Sequence, residues 1–151
     1  MPALLVIVEK NCVYKDDFND VFNKMMTADG IILGSPVYMA NISSSMQALL
    51  ERAAVVLDMN KETLSIKYKA GASIVSLRRG GLNAVDAMNH FFLNQQMIIV
   101  GSTYWNMVYG QLPGDVETDL EGIENMKNIG QNMAYVLKRL KKSDGNDSKR
   151  I

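Results

Sequence analysis

The chain has 151 residues, 48% of them hydrophobic, which is enough for one domain around a single core. Its 16 basic and 16 acidic residues cancel, so no net field draws it to nucleic acid or to an anionic membrane, and any ligand must be recognised locally. The one cysteine, Cys12, cannot form an internal disulfide and falls short of the several thiolates or imidazoles of a zinc or iron-sulfur site, so no metal site is expected.

Residues 3–8 (ALLVIV) end in β-branched side chains, which predicts a buried strand in the sheet interior. They are too short to span a bilayer or to act as a signal segment, and the protein is expected to be cytoplasmic, with no membrane partner. Asp16 and Asp17 open a segment with Phe18, Val21, Phe22, Met25 and Met26 at helical spacing, closed by Asp29-Gly30. Residues 31–33 read as a second strand, and residues 43–59 as a helix through Met46, Leu49, Leu50, Ala53 and Leu57. Residues 72–77 give a third strand, followed by Arg78-Arg79-Gly80-Gly81 and a helix carrying Val85, Met88, Phe92 and Leu93. Residues 97–100 give a fourth strand. After it comes the polar and aromatic loop STYWNMVYGQLPGDVETD, and then a helix over residues 120–140 with Ile123, Met126, Ile129, Met133, Val136, Leu137 and Leu140 on its apolar side. Residues 142–151 carry almost no core side chains and are expected to be disordered, leaving residues 1–141 as the domain.

Strands alternating with helices imply an α/β chain with a parallel sheet, because parallel strands need crossover connections. Ligands of such sheets bind beyond the carboxyl ends of the strands, so the loops after strands two, three and four should share a crevice. In the first loop, Gly34 permits a tight turn and Pro36 fixes φ, which aims the backbone N–H groups of residues 37–40 at a flat polar ligand. A capped turn in which Tyr38 simply packs fits the same residues equally well. In the second loop, two arginines beside two glycines suit an anionic or electron-rich ring, although a solvated pair of cations also accounts for them. In the third, Tyr104, Trp105, Asn106 and Tyr109 suggest a lid or a subunit interface, with core packing as the alternative. His90 beside Phe91 reads as a helix-face residue, the methionines as core filler, and no side chain is expected to act as a catalytic nucleophile.

The segments KDDFNDVFNKMMTADGIILGSPVYMANISSSMQALLER, SLRRGG and GSTYWNMVYGQLPGDVETDLEG, in that order, resemble the flavodoxin-like NAD(P)H-dependent FMN reductases, a group that includes iron-sulfur flavoproteins. The resemblance runs from about residue 10 to about residue 140. It implies a flavodoxin-like three-layer sandwich with a five-stranded parallel sheet, FMN at the carboxyl ends of the strands, and a homodimer or homotetramer. By position, the backbone and side chains of residues 35–41, with Ser35, Pro36, Val37, Tyr38, Met39 and Asn41 as the side chains singled out, would line the flavin ring and ribityl chain. Arg78, Arg79, Gly80 and Gly81 would border the ring, and Tyr104, Trp105 and the Gly114-Asp115 turn would lie near it or near a neighbouring subunit. The implied activity passes electrons from NAD(P)H through FMN to a quinone, flavin or other small acceptor, which needs no catalytic triad.

The resemblance also implies two departures. The family's phosphate loop, whose helix start holds the FMN phosphate, has no counterpart before Lys10, so the fold is expected to be shortened at its N-terminus and FMN to be held weakly. Iron-sulfur members carry a cysteine cluster where only Cys12 remains, and no cluster is expected. Two alternatives stay open. One is a truncated flavodoxin fold without tight flavin binding, serving as a structural or regulatory oligomerisation partner. The other is a recorded start that lies inside a longer gene.

Overall fold

A computed structural model describes residues 7–8 and 10–144. Four strands, β3 (Gly30–Pro36), β4 (Ala70–Leu77), β5 (Ile98–Ile99) and β6 (Met107–Tyr109), form one parallel sheet. β3 pairs with β4 along its whole length, from Gly30 opposite Ala70 to Pro36 opposite Ser76. β5 and β6 share the other edge of β4, β5 at Ala70 and Gly71 and β6 at Val75, Ser76 and Leu77. The sheet is therefore three strands wide, and its third strand is interrupted by residues 100–106.

Successive residues of a strand point to opposite faces, and β3 follows this rule. Ile31, Leu33 and Ser35 are buried on the first face, while Ile32, Gly34 and Pro36 are exposed on the second. Helices α1 (Phe18–Thr27), α2 (Ser44–Met59) and α3 (Leu82–Asn94) share one core with the first face, in which Phe22, Val56, Met88 and Phe92 are fully buried. Gly71 makes that contact possible, since a Cβ there would stand 2.7 Å from the Phe92 ring. Among the described residues, α4 (Leu120–Asp144) alone packs on the second face, setting Ile129 and Met133 against Ala70, Ala72 and Val100. No described helix is long and apolar enough to cross a membrane.

The N-terminal expectation is corrected. Residues 3–6 lie outside the described residues, but β1 (Ile7–Val8) is not inside the main sheet; it pairs antiparallel with β2 (Asn11–Cys12) as a separate hairpin. Two residues cannot make the crossover that a parallel neighbour requires, and Lys10, at φ 70°, folds the chain back on itself. Asn19 anchors the hairpin by accepting from Cys12 N and donating to Cys12 O, both at 2.9 Å. Arg52 of α2 clamps it, pairing with Asp16 at 2.7 Å, donating to the Cys12 sulfur at 3.2 Å and lying 4.2 Å from the centre of the Phe18 ring.

Other differences are smaller. The sheet has four strands rather than the five implied by the resemblance, and β6 lies within what the sequence presents as loop. Leu93 is 61% exposed, because α3 needs only Val85, Met88, Phe91 and Phe92 for its buried stripe. Helix α4 continues to Asp144, past the expected end at residue 140, and the expected disorder of residues 145–151 lies outside the described residues.

Candidate functional site

The carboxyl ends of β3, β4 and β6 bring three loops to one end of the sheet. After β3, Tyr38 and Asn41 exchange backbone hydrogen bonds at 3.0 and 3.1 Å, closing a two-residue turn. Met39 and Ala40 fill that turn at φ 50° and 58°, the left-handed region that costs a residue with a Cβ about 1–2 kcal/mol. Ser35 is buried and tethers the loop to the helix behind it: its hydroxyl accepts from Ser43 N at 3.0 Å and donates to Pro36 O at 2.9 Å. Ser43 caps α2 in turn, accepting from Met46 N at 3.2 Å.

After β4, Gly80 and Gly81 turn the chain at φ 76° and 110°. A Cβ on Gly81 would meet a Leu77 methyl at 2.8 Å, whereas one on Gly80 would meet nothing within 4 Å. Gly80 thus offers bare backbone to the space above the sheet. Arg78 and Arg79 are exposed and make no ion pair among the described residues.

The loop after β6 is held by carboxylates. Asp119 accepts from Tyr109 N at 2.7 Å and from Gly122 N at 3.0 Å, locking the end of β6 to the start of α4. Asp115 accepts from Leu112 N at 2.7 Å and Gln111 N at 2.9 Å, and these two donors hold its carboxyl below the ordinary carboxylate pKa. The Gly114-Asp115 turn is therefore occupied with its own backbone.

Two cavities share Leu82, Tyr104 and Trp105, the last two from the segment between β5 and β6. One, of about 490 Å³, is bordered by Ala40, Gly80, Gly81, Asn83, Met107 and Tyr109. The other, of about 510 Å³, runs between α3 and residues 99–106 and includes Asp86, Asn89 and Asn106. The rings of Tyr104 and Trp105, 5.7 Å apart, border both. Of the residues singled out in the sequence, Gly80, Gly81, Tyr104 and Trp105 come together at the first cavity. Ser35 and Pro36 border a different groove, together with Gly34, Ile74 and Met126. Val37 is half-buried, and Tyr38, Met39, Asn41, Arg78 and Arg79 are exposed on the same loops without lining either cavity. Ala40 falls within the loop expected to present its backbone, whereas Leu82, Asn83, Met107 and Tyr109 were not foreseen as lining residues. Only Tyr109, as part of the aromatic cluster, carried a signal.

The sequence profile of the NADPH-dependent FMN reductases matches residues 1–111. The chain belongs to that family. An iron-sulfur flavoprotein of Methanocaldococcus jannaschii is 33% identical to this FMN reductase family member over 142 residues, covering 89% of this chain and 72% of that protein. Another, from Methanosarcina thermophila, is 29% identical over 136 residues, covering 87% of this chain and 68% of that protein. Among solved structures, a metal-soaked flavodiiron core from Synechocystis aligns with a TM-score of 0.59 at 16% identity, over 83% of this chain and 27% of that one. A WrbA-like flavodoxin from Agrobacterium tumefaciens aligns at 0.53 and 19% identity, over 84% of this chain and 79% of that one. These two likenesses, with the parallel sheet and its helices, make the fold flavodoxin-like. The family places the chain among flavin-dependent oxidoreductases.

Proposed function

We propose that this chain binds FMN in the 490 Å³ cavity and passes electrons from NAD(P)H to a small acceptor such as a quinone or a free flavin. The observation that carries this reading is the convergence of bare glycine backbone, a strained turn and an aromatic wall beyond the carboxyl ends of the strands. The residues fit a flavin ring: Gly80 leaves room for close approach, Ala40 presents backbone from its left-handed turn, and Tyr104, Trp105 and Tyr109 offer flat apolar surface. FMN, when bound, supplies the hydride chemistry, and the chain supplies position and exclusion of water. The second cavity, beyond Tyr104 and Trp105, is where we place the nicotinamide donor or the acceptor.

One feature favours the competing reading of a flavodoxin fold that no longer holds flavin tightly. None of the nine residues lining the first cavity is ionised at neutral pH, so an FMN phosphate must rely on Arg78, Arg79 or another subunit. The exposed Tyr38, Tyr104, Trp105, Tyr109 and Leu112 at this end of the sheet support a homodimer or homotetramer that covers them. We also place the protein in the cytoplasm.

A visible absorption spectrum of the purified protein, followed by an FMN titration read by fluorescence quenching, tests the reading. Saturable quenching at micromolar FMN is expected, weakened about fivefold by Trp105→Ala and left unchanged by Cys12→Ser, since a lost aromatic contact is worth about 1 kcal/mol. A colourless protein that leaves FMN fluorescence untouched would select the competing reading.

A further inference from the structure

We infer that the cavity of about 510 Å³ beyond Tyr104 and Trp105 is a binding site for an aromatic cation that carries N–H donors, such as an aryl amidine or an amino-substituted N-heterocycle. The cavity lies between α3 and residues 99–106, on the side of β4 away from β3. Its service as the acceptor site rests on the flavin reading; the binding itself does not.

The charge in this cavity has one sign. Asp86 is the only lining residue ionised at neutral pH, and its exposed carboxylate makes no ion pair among the described residues. With no cation on the walls, a phosphate or carboxylate meets repulsion and a cation meets a partner. A dinucleotide donor, with its diphosphate, is therefore the poorer of the two occupants proposed for this cavity.

The hydrogen-bonding groups favour the same ligand. Ser102 and Thr103 commit their hydroxyl protons to α4, donating to Asn125 O and Asn125 Oδ1, both at 2.8 Å. Asn89 Oδ1 accepts from the Ser73 hydroxyl at 2.9 Å. Asn106 is different. Its backbone oxygen accepts from Val75 N at 3.0 Å, which fixes the residue at the cavity wall, yet its Oδ1 is shut off from solvent and has no donor among the described residues. A buried acceptor without a donor is unfavourable, and the soft terminal torsion of an asparagine lets a small rotation turn that oxygen to a ligand N–H.

The aromatic wall supplies the third element. The rings of Tyr104 and Trp105 stand 5.7 Å apart at 49°, a corner rather than a stack. Elsewhere Tyr14, Tyr68 and Tyr135 each have an arginine or lysine over the ring, at 5.7, 4.7 and 5.1 Å. Among the described residues no cation stands over Tyr104 or Trp105, which leaves their faces open to the charge of a ligand. A carboxylate, an unpaired acceptor and two open ring faces thus border one cavity, and a flat cation with N–H groups satisfies all of them.

The test titrates the 151-residue protein, without FMN, with benzamidine, benzamide and benzoate, which share one ring and differ in charge. Trp105 is the sole tryptophan of the chain, so its fluorescence reports on the cavity directly. Benzamidine should give a saturable change at millimolar concentration, about fivefold tighter than benzamide, with benzoate weaker than benzamidine by about tenfold or more. Asp86→Asn should erase the preference for benzamidine over benzamide. Asn106→Leu should weaken benzamidine about tenfold without lowering Tm, because the oxygen it removes has no partner to lose, whereas a merely structural asparagine would lose Tm as well. Three results overturn the proposal: no saturable response to benzamidine, equal affinity for all three probes, or binding unchanged in both variants, which would seat the probe in the first cavity. FMN quenching without a benzamidine response overturns only this site. A benzamidine response without FMN binding sustains the site while the flavin reading falls.

Discussion

On the face of the sheet toward α1, α2 and α3, Phe22, Val56, Met88 and Phe92 are no more than 1% exposed, whereas on the face toward α4 Ile32 stands 49% open. The same strand, β3, feeds both faces through alternate residues, so the difference lies in what packs above it rather than in the strand. On one side three helices share a core in which α3 sets Phe92 over Gly71 and Asn89 beside Ser73, and on the other one helix packs against Ala70 and Ala72. Cohesion is therefore concentrated on the first face. The second face keeps only a narrow apolar seam, which makes it available for contact with something else.

Phe92→Ala should break this asymmetry most severely, costing about 3–5 kcal/mol in urea unfolding because it empties the space above Gly71. Met133→Ala, on the seam under α4, should cost about 2 kcal/mol, the low end for such a deletion, because it sits in the smaller of the two apolar clusters. Equal losses from the two substitutions would erase the comparison. Ser43→Ala removes the cap of α2 and should cost about 1 kcal/mol, read by the same unfolding curves. Acid should act through exposed carboxylates. Asp16 beside Arg52, Asp29 beside Lys141 and Asp115 under two backbone N–H groups all titrate below the ordinary value of 3.8. Because their folded pKa values are depressed, the stabilisation is complete above the unfolded value near 4 and disappears as pH falls through the lower folded values. Urea midpoints should drop on going from pH 5 to pH 2.5, and Asp115→Asn should flatten part of that drop. Ile32→Lys should change stability by less than about 0.5 kcal/mol, the smallest effect of the set.

The helices were legible because their apolar stripes are regular. Ser43 to Met59 was read to within one residue of the observed α2, and the buried positions of α1 and α3 fell where the spacing put them, apart from Leu93. The loop after β4 was legible through its paired glycines, whereas Gly34 and Pro36, expected to turn the chain after residue 33, continue β3 beside Ile74 and Ser76, and the turn falls at Met39 and Ala40. Three things were not legible. The hairpin at Ile7–Val8 was hidden because a short β-branched run looks the same whether it is paired within a sheet or folded back beside it. β6 was hidden because Met107–Tyr109 is only three residues long and lies among polar and aromatic neighbours, and its pairing to Val75–Leu77 is a long-range event with no local period. The left-handed backbone of Ala40 was hidden, though its place in the ligand-facing loop was not, because nothing in an alanine announces the conformation that the Tyr38–Asn41 bridge imposes on it.

The interruption between β5 and β6 has an engineering meaning. Each half of the broken strand takes its register from β4 independently, with Val100 N on Gly71 O holding the end of β5 and Asn106 O on Val75 N the start of β6, so Tyr104 and Trp105 between these anchors can vary without displacing a strand pair. That segment also supplies Tyr104 and Trp105 to both cavities. Varying Tyr104 and Trp105 while keeping Val100, Ser102, Thr103 and Asn106 would reshape what is bound and leave the scaffold's hydrogen bonds in place, which makes those two positions the natural place to build a library of altered specificities.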